Sequence, residues 1–307
     1  MKMRALLPIL LVVIVLLSAC EKDINLNLRG TPPVLVVNGW VTNAPMAKLV
    51  GDSNSLGYKL TPGTSKPNTY NSCIVVKLTT TASYYASDST PPVSGAVVII
   101  TSSDNPTQKD TLKERPKGKG IYIDTTGKVG KVGVTYSLFI QSNGQVYTAQ
   151  DQLDSIAQID SVHIAANTGK KVGYRLTYYT RNIVGVNSYY LFNYYRSDSL
   201  LNGPTNIFVD QALSSIISPD DPELPQESPY LYQAGDTTYI EVFSLSKTMY
   251  TYYNQLNQQL STSGPGGGFA VVFATIPANV QGNVSNGAQG FFQASMYWTK
   301  LKIIPVP

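Results

Sequence analysis

The chain has 307 residues and a formal net charge of +4, and 43% of its residues are hydrophobic but only 14% are charged. One His and two Cys exclude His-rich metal sites, disulfide scaffolds and any mechanism that needs two histidines. So small a positive charge over this length argues against a nucleic-acid partner, which would require a strongly basic face.

The first twenty residues have the pattern of an export signal. Two basic residues precede an apolar run over 5–17, which is shorter than the ~20 residues of a membrane-spanning helix. The run ends in Leu17-Ser18-Ala19-Cys20, which resembles the lipobox, where the Cys thiol takes a diacylglyceryl group. We therefore expect a lipoprotein signal peptide over 1–19 and a lipid on Cys20. A plain secretory signal with a chance Cys is the alternative.

Residues 20–32 are predicted to form the lipidated tether. Its first charged residues, Glu21, Lys22 and Asp23, resemble the Lys-plus-acid signals that send lipoproteins of the Bacteroidetes to the outer face of the outer membrane. The expected location is therefore the outer membrane, lipid-anchored and facing the exterior. A solvated tether with no sorting role remains open, as does the leaflet.

Short β-branched runs between Gly, Pro and Asn turns predict a β-sandwich domain over 33–155. Asp104–Pro106 predicts a turn, and Asn143-Gly144 predicts a tight hairpin because both residues tolerate positive φ. Cys73 lies in an apolar run and is expected to be buried and inert. The predicted strands cover 34–41, 73–78, 96–100, 110–112, 120–123, 135–140 and 145–149.

The remaining residues, 156–307, predict a second β-rich domain with one packed helix near 246–261. Ser246 is the expected N-cap of that helix, and Met249, Tyr252, Tyr253, Leu256 and Leu260 recur at helical spacing. The predicted strands cover 160–164, 174–180, 187–196, 205–209, 237–243 and 269–276.

Two resemblances extend this interpretation. Gly95–Ile99, Gly120–Tyr122 and Gly133–Leu138 are similar to the carboxypeptidase-regulatory or transthyretin-like sandwich over about 92–150, which implies a fold but no chemistry. With the lipobox, Leu35–Val41 and Pro277–Val284, the mature chain resembles the Bacteroidetes lipoprotein family labelled domain of unknown function 4249, over roughly residues 20–300. That resemblance implies a partner in nutrient capture, a TonB-dependent β-barrel transporter.

No motif predicts catalysis, and no cofactor is predicted. His163 lies in an alternating strand without the context of a triad, and Gly264–Gly268 lacks the Lys-Ser/Thr of a phosphate loop. Asp220, Asp221, Glu223 and Glu227 form the one cluster of carboxylates. Ca²⁺ binding is possible there, but a solvated loop is the default interpretation. Paired carboxylates for a hydrolase stay open, because such pairs meet in space and not in sequence.

Tyrosine is unusually frequent, with 21 in the chain and five adjacent pairs. Neighbouring strand residues face opposite sides, so each strand pair is expected to place one Tyr in the core and one at the surface. Exposed Tyr would suit a peptide or glycan ligand, whereas the alternative is that Tyr fills strand positions it favours.

Asp followed by Ser or Thr, and then by an apolar residue or Thr, occurs seven times. This pattern resembles the O-glycosylation acceptor of Bacteroidetes envelope proteins, although Asp-Ser and Asp-Thr also mark ordinary turns. The candidate acceptors are Ser89, Thr111, Thr125, Ser155, Ser161, Ser199 and Thr237. Three functions are carried forward: a non-enzymatic surface lipoprotein beside a TonB-dependent transporter, a surface adhesin or glycan/peptide-binding protein without that partner, and a carboxylate-dependent hydrolase.

Overall fold

The computed structural model describes residues 32–44, 72–82, 90–156, 159–181, 189–196, 199–201, 207–209, 223–227, 230–262, 280 and 282–306. Over these residues the protein is mainly β with a single helix, which confirms the predicted class. Residues Pro33–Pro307 form one compact unit. No helix in the described part of the chain is both long and apolar enough to cross a membrane.

The first sheet has five strands and joins the first strand of the chain to one near its carboxyl end. The strands are β1 (Leu35–Thr42), β2 (Ile74–Thr80), β5 (Lys113–Glu114), β6 (Ile121–Ile123) and β16 (Gln289–Ser295). Their order is β16-β1-β2-β6-β5, and β1 pairs antiparallel with β2 on one side and parallel with β16 on the other.

A second sheet covers the first and completes a β-sandwich. Its order is β4-β3-β7-β8, all antiparallel, and the two sheets share one apolar core that includes Val37, Val76, Val98, Leu138 and Phe292. The predicted turn at Asn143-Gly144 joins β7 to β8 with φ of 49° and 74°. The strands are β3 (Val97–Ser102), β4 (Asn105–Thr111), β7 (Thr135–Ser142) and β8 (Gln145–Gln152).

Two further sheets pack face to face around a core rich in tyrosine. One has the order β12-β11-β15-β17, with β13 also pairing β11, and the other has the order β14-β10-β9. The strands are β9 (Ile159–Ala166), β10 (Tyr174–Arg181), β11 (Tyr189–Arg196), β12 (Ser199–Leu200), β13 (Ile207–Val209), β14 (Glu223–Glu227), β15 (Thr237–Leu245) and β17 (Tyr297–Ile303).

The helix α1 (Lys247–Thr262) covers the other face of the β11/β15/β17 sheet. It begins where predicted, because the Met249 amide donates a 3.2 Å hydrogen bond to Ser246 Oγ, an N-cap contact. Met249 and Tyr253 enter a core with Trp40, whose ring lies 5.2 Å from Phe243 and 5.6 Å from Phe291. Trp40 therefore joins β1 to the tyrosine-rich part of the fold.

Three expectations need correction or addition. The turn predicted at Asp104–Pro106 is shorter, because β4 already begins at Asn105. Pro106 is tolerated there since β4 is an exposed edge strand. Glu223–Glu227, expected in a loop, forms the edge strand β14 against β10. The strands β16 and β17 were not predicted.

The domain boundary at residue 155 remains a prediction. The strand β16 lies beyond that boundary in sequence, yet it pairs with β1 over seven residues. The predicted strand over 269–276 lies outside the described residues.

Candidate functional site

Two buried carboxyl groups lie where the sandwich meets the tyrosine-rich sheet. Glu241 on β15 is 2% exposed and Asp151 on β8 is 7% exposed. Buried carboxyl groups are candidates for chemistry because burial shifts their protonation. Glu241 and Asp151 are therefore the centre of the candidate site.

Glu241 is held by three side chains from the strands on either side. Its Oε2 atom accepts hydrogen bonds from the Tyr195 hydroxyl at 2.8 Å and from Asn193 Nδ2 at 3.3 Å. Its Oε1 atom accepts a bond of 3.0 Å from the Tyr297 hydroxyl. The register explains the arrangement, because Asn193 lies directly opposite Glu241 in the β11–β15 pair.

Burial raises the pKa of Glu241 to about 7, against the lowering effect of the bonds from Tyr195, Asn193 and Tyr297. All three donors are neutral, and no ion pair to Glu241 is found among the described residues. Burial without a cationic partner therefore favours the protonated carboxyl group.

Asp151 connects the sandwich to the start of the helix. One carboxylate oxygen accepts a 2.9 Å hydrogen bond from the Ala294 amide of β16, and Ser246, the N-cap of α1, also bonds to it. Burial raises the pKa of Asp151 to about 6, with the nearby Asp154 adding to the rise. The pKa of Asp154 is itself raised by burial.

A chain of polar side chains continues from this point along β16. The Tyr253 hydroxyl donates to Gln293 Oε1 at 3.0 Å, and Gln293 Nε2 donates to Ser295 Oγ. Ser295 Oγ donates to the Ser244 carbonyl at 2.7 Å, while Ser244 Oγ accepts a 2.8 Å bond from the Met296 amide. We call this chain and the two carboxyl groups the polar seam.

The polar seam is suited to fixing the packing of β8, β15, β16 and α1. Both oxygens of Glu241 already accept bonds from the protein, and the side chain is almost entirely shielded from solvent. Buried polar groups satisfied in this way specify one arrangement of the surrounding elements. The geometry therefore supports a structural role for Glu241 and Asp151.

The tyrosine pairs are mostly core residues. Tyr194 and Tyr195 are both buried because their sheet is covered on both faces: Tyr194 lies in the core toward β10 and Tyr195 bonds to Glu241. The expectation of one exposed Tyr in each strand pair is therefore wrong here. At Tyr178-Tyr179 one ring is buried and the other half-buried. The pair Tyr84-Tyr85 lies outside the described residues.

The single His and Cys73 occupy very different surroundings. His163 is exposed on β9, and its ring lies 4.8 Å from that of Tyr179. Cys73 is buried at the start of β2 as a free thiol, as expected. Burial raises the pKa of that thiol, with Asp124 adding to the rise, so the neutral form is favoured.

The acidic residues proposed for Ca²⁺ are only partly described. Glu223 and Glu227 occupy the two ends of β14, four residues and therefore about 13 Å apart along the strand. Asp220 and Asp221 lie outside the described residues. In the part of the chain that the structure describes, no group of three or more His, Cys, Asp or Glu could hold a metal ion.

The predicted modification sites remain predictions. Thr111 and Thr125 are exposed, whereas Ser155, Ser161 and Thr237 are half-buried. Ser89 lies outside the described residues, and the side chain of Ser199 on β12 is not described. Cys20 and the charged residues Glu21, Lys22 and Asp23 also lie outside them.

The polar seam was not predicted from sequence. Glu241 stands between apolar residues in Tyr239-Ile240-Glu241-Val242-Phe243, a pattern shared by half-exposed strands. One of its hydrogen-bond partners, Tyr297, is 56 residues away along the chain, so the strand's own sequence does not reveal this environment. One usable sign was an acidic residue inside a strand of otherwise aromatic and β-branched residues.

Comparison with known proteins identifies the family of this chain. The family model described as a domain of unknown function (DUF4249) matches residues 64–300, more than two thirds of the chain. No curated protein shows a significant match to the chain.

Proposed function

This chain belongs to the DUF4249 family, and we propose that it is a non-enzymatic surface lipoprotein of the outer membrane that serves as a binding or accessory module of a TonB-dependent nutrient transporter. The observation that carries the proposal is the sequence Leu17-Ser18-Ala19-Cys20 after a short apolar run. An acylated Cys20 would tether the fold to the membrane through twelve residues.

The position of β1 supports an anchoring role for the segment that follows the tether. The strand begins at Leu35 and is an inner strand of its sheet, paired with β2 over seven residues and with β16 over another seven. A force on the tether would therefore be resisted by the hydrogen bonds of β1 to both β2 and β16.

The proposed partner is a β-barrel transporter of the TonB-dependent class, and the cargo would be a peptide or glycan. This partner comes from the family resemblance. The network around Glu241 favours a rigid module over a reactive centre, because both carboxylate oxygens of Glu241 already accept hydrogen bonds from side chains of the protein. The alternative is an adhesin or glycan/peptide-binding protein that works without a barrel.

Lipidation is tested by growing cells with a labelled fatty acid and isolating the protein. We expect label on the natural chain and none on Cys20→Ala. The matched control is Cys73→Ala, which removes the other thiol of the chain and should keep the label. Label retained by Cys20→Ala, or none on the natural chain, would contradict the proposal.

Surface location is tested by adding protease to intact cells. The exposed β4 strand and the turn near Gly127 offer described cleavage regions. We expect cleavage in intact cells at the rate seen in lysed cells. Protection until the outer membrane is opened would place the protein on the periplasmic side.

A further inference from the structure

A cationic turn joins β5 to β6 at one end of the sandwich. Lys113, Arg115, Lys117 and Lys119 lie within seven residues, and all four side chains are exposed. None of them forms an ion pair with any residue that the structure describes. We call residues 113–120 the cationic hairpin.

The one acidic residue of the cationic hairpin is directed inward. Glu114 Oε1 accepts bonds from the amides of Gly118 at 2.9 Å and Gly120 at 3.0 Å. Its Oε2 atom accepts bonds from the Ser94 hydroxyl at 2.7 Å and the Gly95 amide at 3.3 Å. The carboxylate thus shapes the turn while the four cations face solvent.

The cationic hairpin lies at the end of the sheet where the chain from the tether enters. The Gly120 carbonyl accepts a 2.7 Å bond from the Leu78 amide, close to the end of β2. Three residues further, the Thr81 amide donates to the Val34 carbonyl at 2.9 Å, just before β1. Because β2 is antiparallel to β1, the hairpin and the first residues of β1 share this end.

Two lysines near the opposite end of the sandwich form ion pairs with aspartates. Lys128 pairs with Asp110 at 2.5 Å, and Lys131 pairs with Asp104 at 2.8 Å. The turn between them lies beside the last residue of β1, since the Gly130 amide donates to the Thr42 carbonyl at 2.8 Å. Among these six described cations, the four of the hairpin at the tether end are unpaired, whereas Lys128 and Lys131 each have an acidic partner.

We propose that the cationic hairpin docks on the phosphate-bearing lipid headgroups of the membrane that holds the Cys20 lipid. The inference rests on the proposed lipidation. The thirteen residues over 20–32 can span at most about 45 Å, so the tether keeps this end of the sandwich within that reach of the bilayer. A Lys or Arg side chain is attracted to an anionic lipid surface when it lies within about a Debye length of that surface, roughly 8–10 Å.

The direct test uses vesicles and the chain from residue 20 with Cys20→Ser, which contains the whole compact unit Pro33–Pro307. We expect it to sediment with vesicles of phosphatidylcholine and phosphatidylglycerol, but not with phosphatidylcholine alone. The double variant Lys117→Ala/Lys119→Ala should partition about thirtyfold less, since each cation contributes about 1 kcal/mol. Added salt should weaken binding of the unsubstituted chain.

The matched control is Lys170→Ala/Lys171→Ala, which removes the same charge from the exposed turn between β9 and β10. It should partition like the unsubstituted chain. An equal loss for both double variants would show that net charge alone drives binding and would overturn the proposal. Unchanged binding of the hairpin variant would overturn it as well.

A second measurement uses the full lipidated protein in vesicles that contain headgroup-linked quenchers. A fluorophore is placed at Lys117→Cys or at Lys170→Cys, and Cys73 does not compete because it is 3% exposed. We expect quenching at position 117 and little at 170; equal quenching would contradict the docking. Absence of an acyl group on Cys20 would overturn the proposed function. Sedimentation of the unlipidated chain with vesicles would still test whether the cationic hairpin binds anionic headgroups.

Discussion

Glu241 gives the molecule a pH dependence that a surface carboxylate would not. Folding moves its carboxyl group from water, where the pKa is near 4.5, to a buried position where the pKa is about 7. Between these values the folded state binds more protons than the unfolded state. The free energy of unfolding therefore falls as pH rises through this window, and the decrease is complete above about pH 7.

We expect Glu241→Gln to remove that decrease, which amounts to roughly 3 kcal/mol for Glu241. The measurement is urea unfolding at several pH values from about 4 to about 8. Asp151→Asn is the companion variant, because the pKa of Asp151 rises only to about 6 and its window lies lower. A Glu241→Gln variant with the same slope as the unsubstituted protein would show that Glu241 does not titrate in this range.

Tyr195 and Glu241 also show where sequence-based prediction reaches its limit at single residues. The position of Tyr195 within a strand was predicted, but its burial was not. The alternation of side chains along a strand assigns residues to two faces, but it does not reveal whether other elements cover both faces. Both faces of β11 are covered. The prediction for Cys73 succeeded because an apolar run is buried whichever face it presents.

At the scale of elements, the β1–β16 pair depends on one glycine. Gly290 has φ of +87°, and a Cβ atom there would lie 2.0 Å from the Val37 carbonyl oxygen. Backbone atoms of a central strand cannot move aside without breaking its ladder. The close approach of β16 to β1 therefore requires glycine at position 290.

We expect Gly290→Ala to lower the free energy of unfolding by about 3 kcal/mol or more, measured by urea unfolding. Gly287→Ala is the control, because Gly287 has a similar φ of +70° but nothing lies within 4 Å of its added Cβ. That control should lose only about 1 kcal/mol, the cost of the backbone conformation. Equal losses would mean that the contact with Val37 is unimportant.

The elements predicted correctly are those whose own sequence contains a turn signal, a capping residue or a clear period. The β7–β8 hairpin has its Asn-Gly turn, and α1 has its N-cap and helical period. By contrast, β16 has the sequence Gln-Gly-Phe-Phe-Gln-Ala-Ser, and its partner β1 lies some 250 residues earlier in the chain. The strand β14 was missed because Pro225 argued against a strand, although an edge position tolerates it.

At the scale of the whole molecule, the cores are linked across the predicted domain boundary. Trp40 of β1 packs with Phe243 of β15, and the Ala294 amide bonds to Asp151. We therefore expect one cooperative unfolding transition for the full chain. Tryptophan fluorescence and far-ultraviolet circular dichroism should give the same midpoint, whereas two separated transitions would indicate two independent domains.

The proposed function concerns a whole molecule attached to a membrane at one end and to a transporter elsewhere. Orientation by the cationic hairpin would place the tyrosine-rich sheets at a defined position relative to the bilayer. In the proposed function, this protein works together with a β-barrel transporter.

The most direct test is affinity purification of the tagged protein from detergent-solubilised outer membranes, followed by mass spectrometry of the material that accompanies it. We expect a TonB-dependent β-barrel in stoichiometric amount. It should be retained in the Gly287→Ala variant and lost when Cys20→Ala prevents lipidation. Recovery of the lipidated protein alone, under conditions that keep other outer-membrane complexes intact, would contradict it.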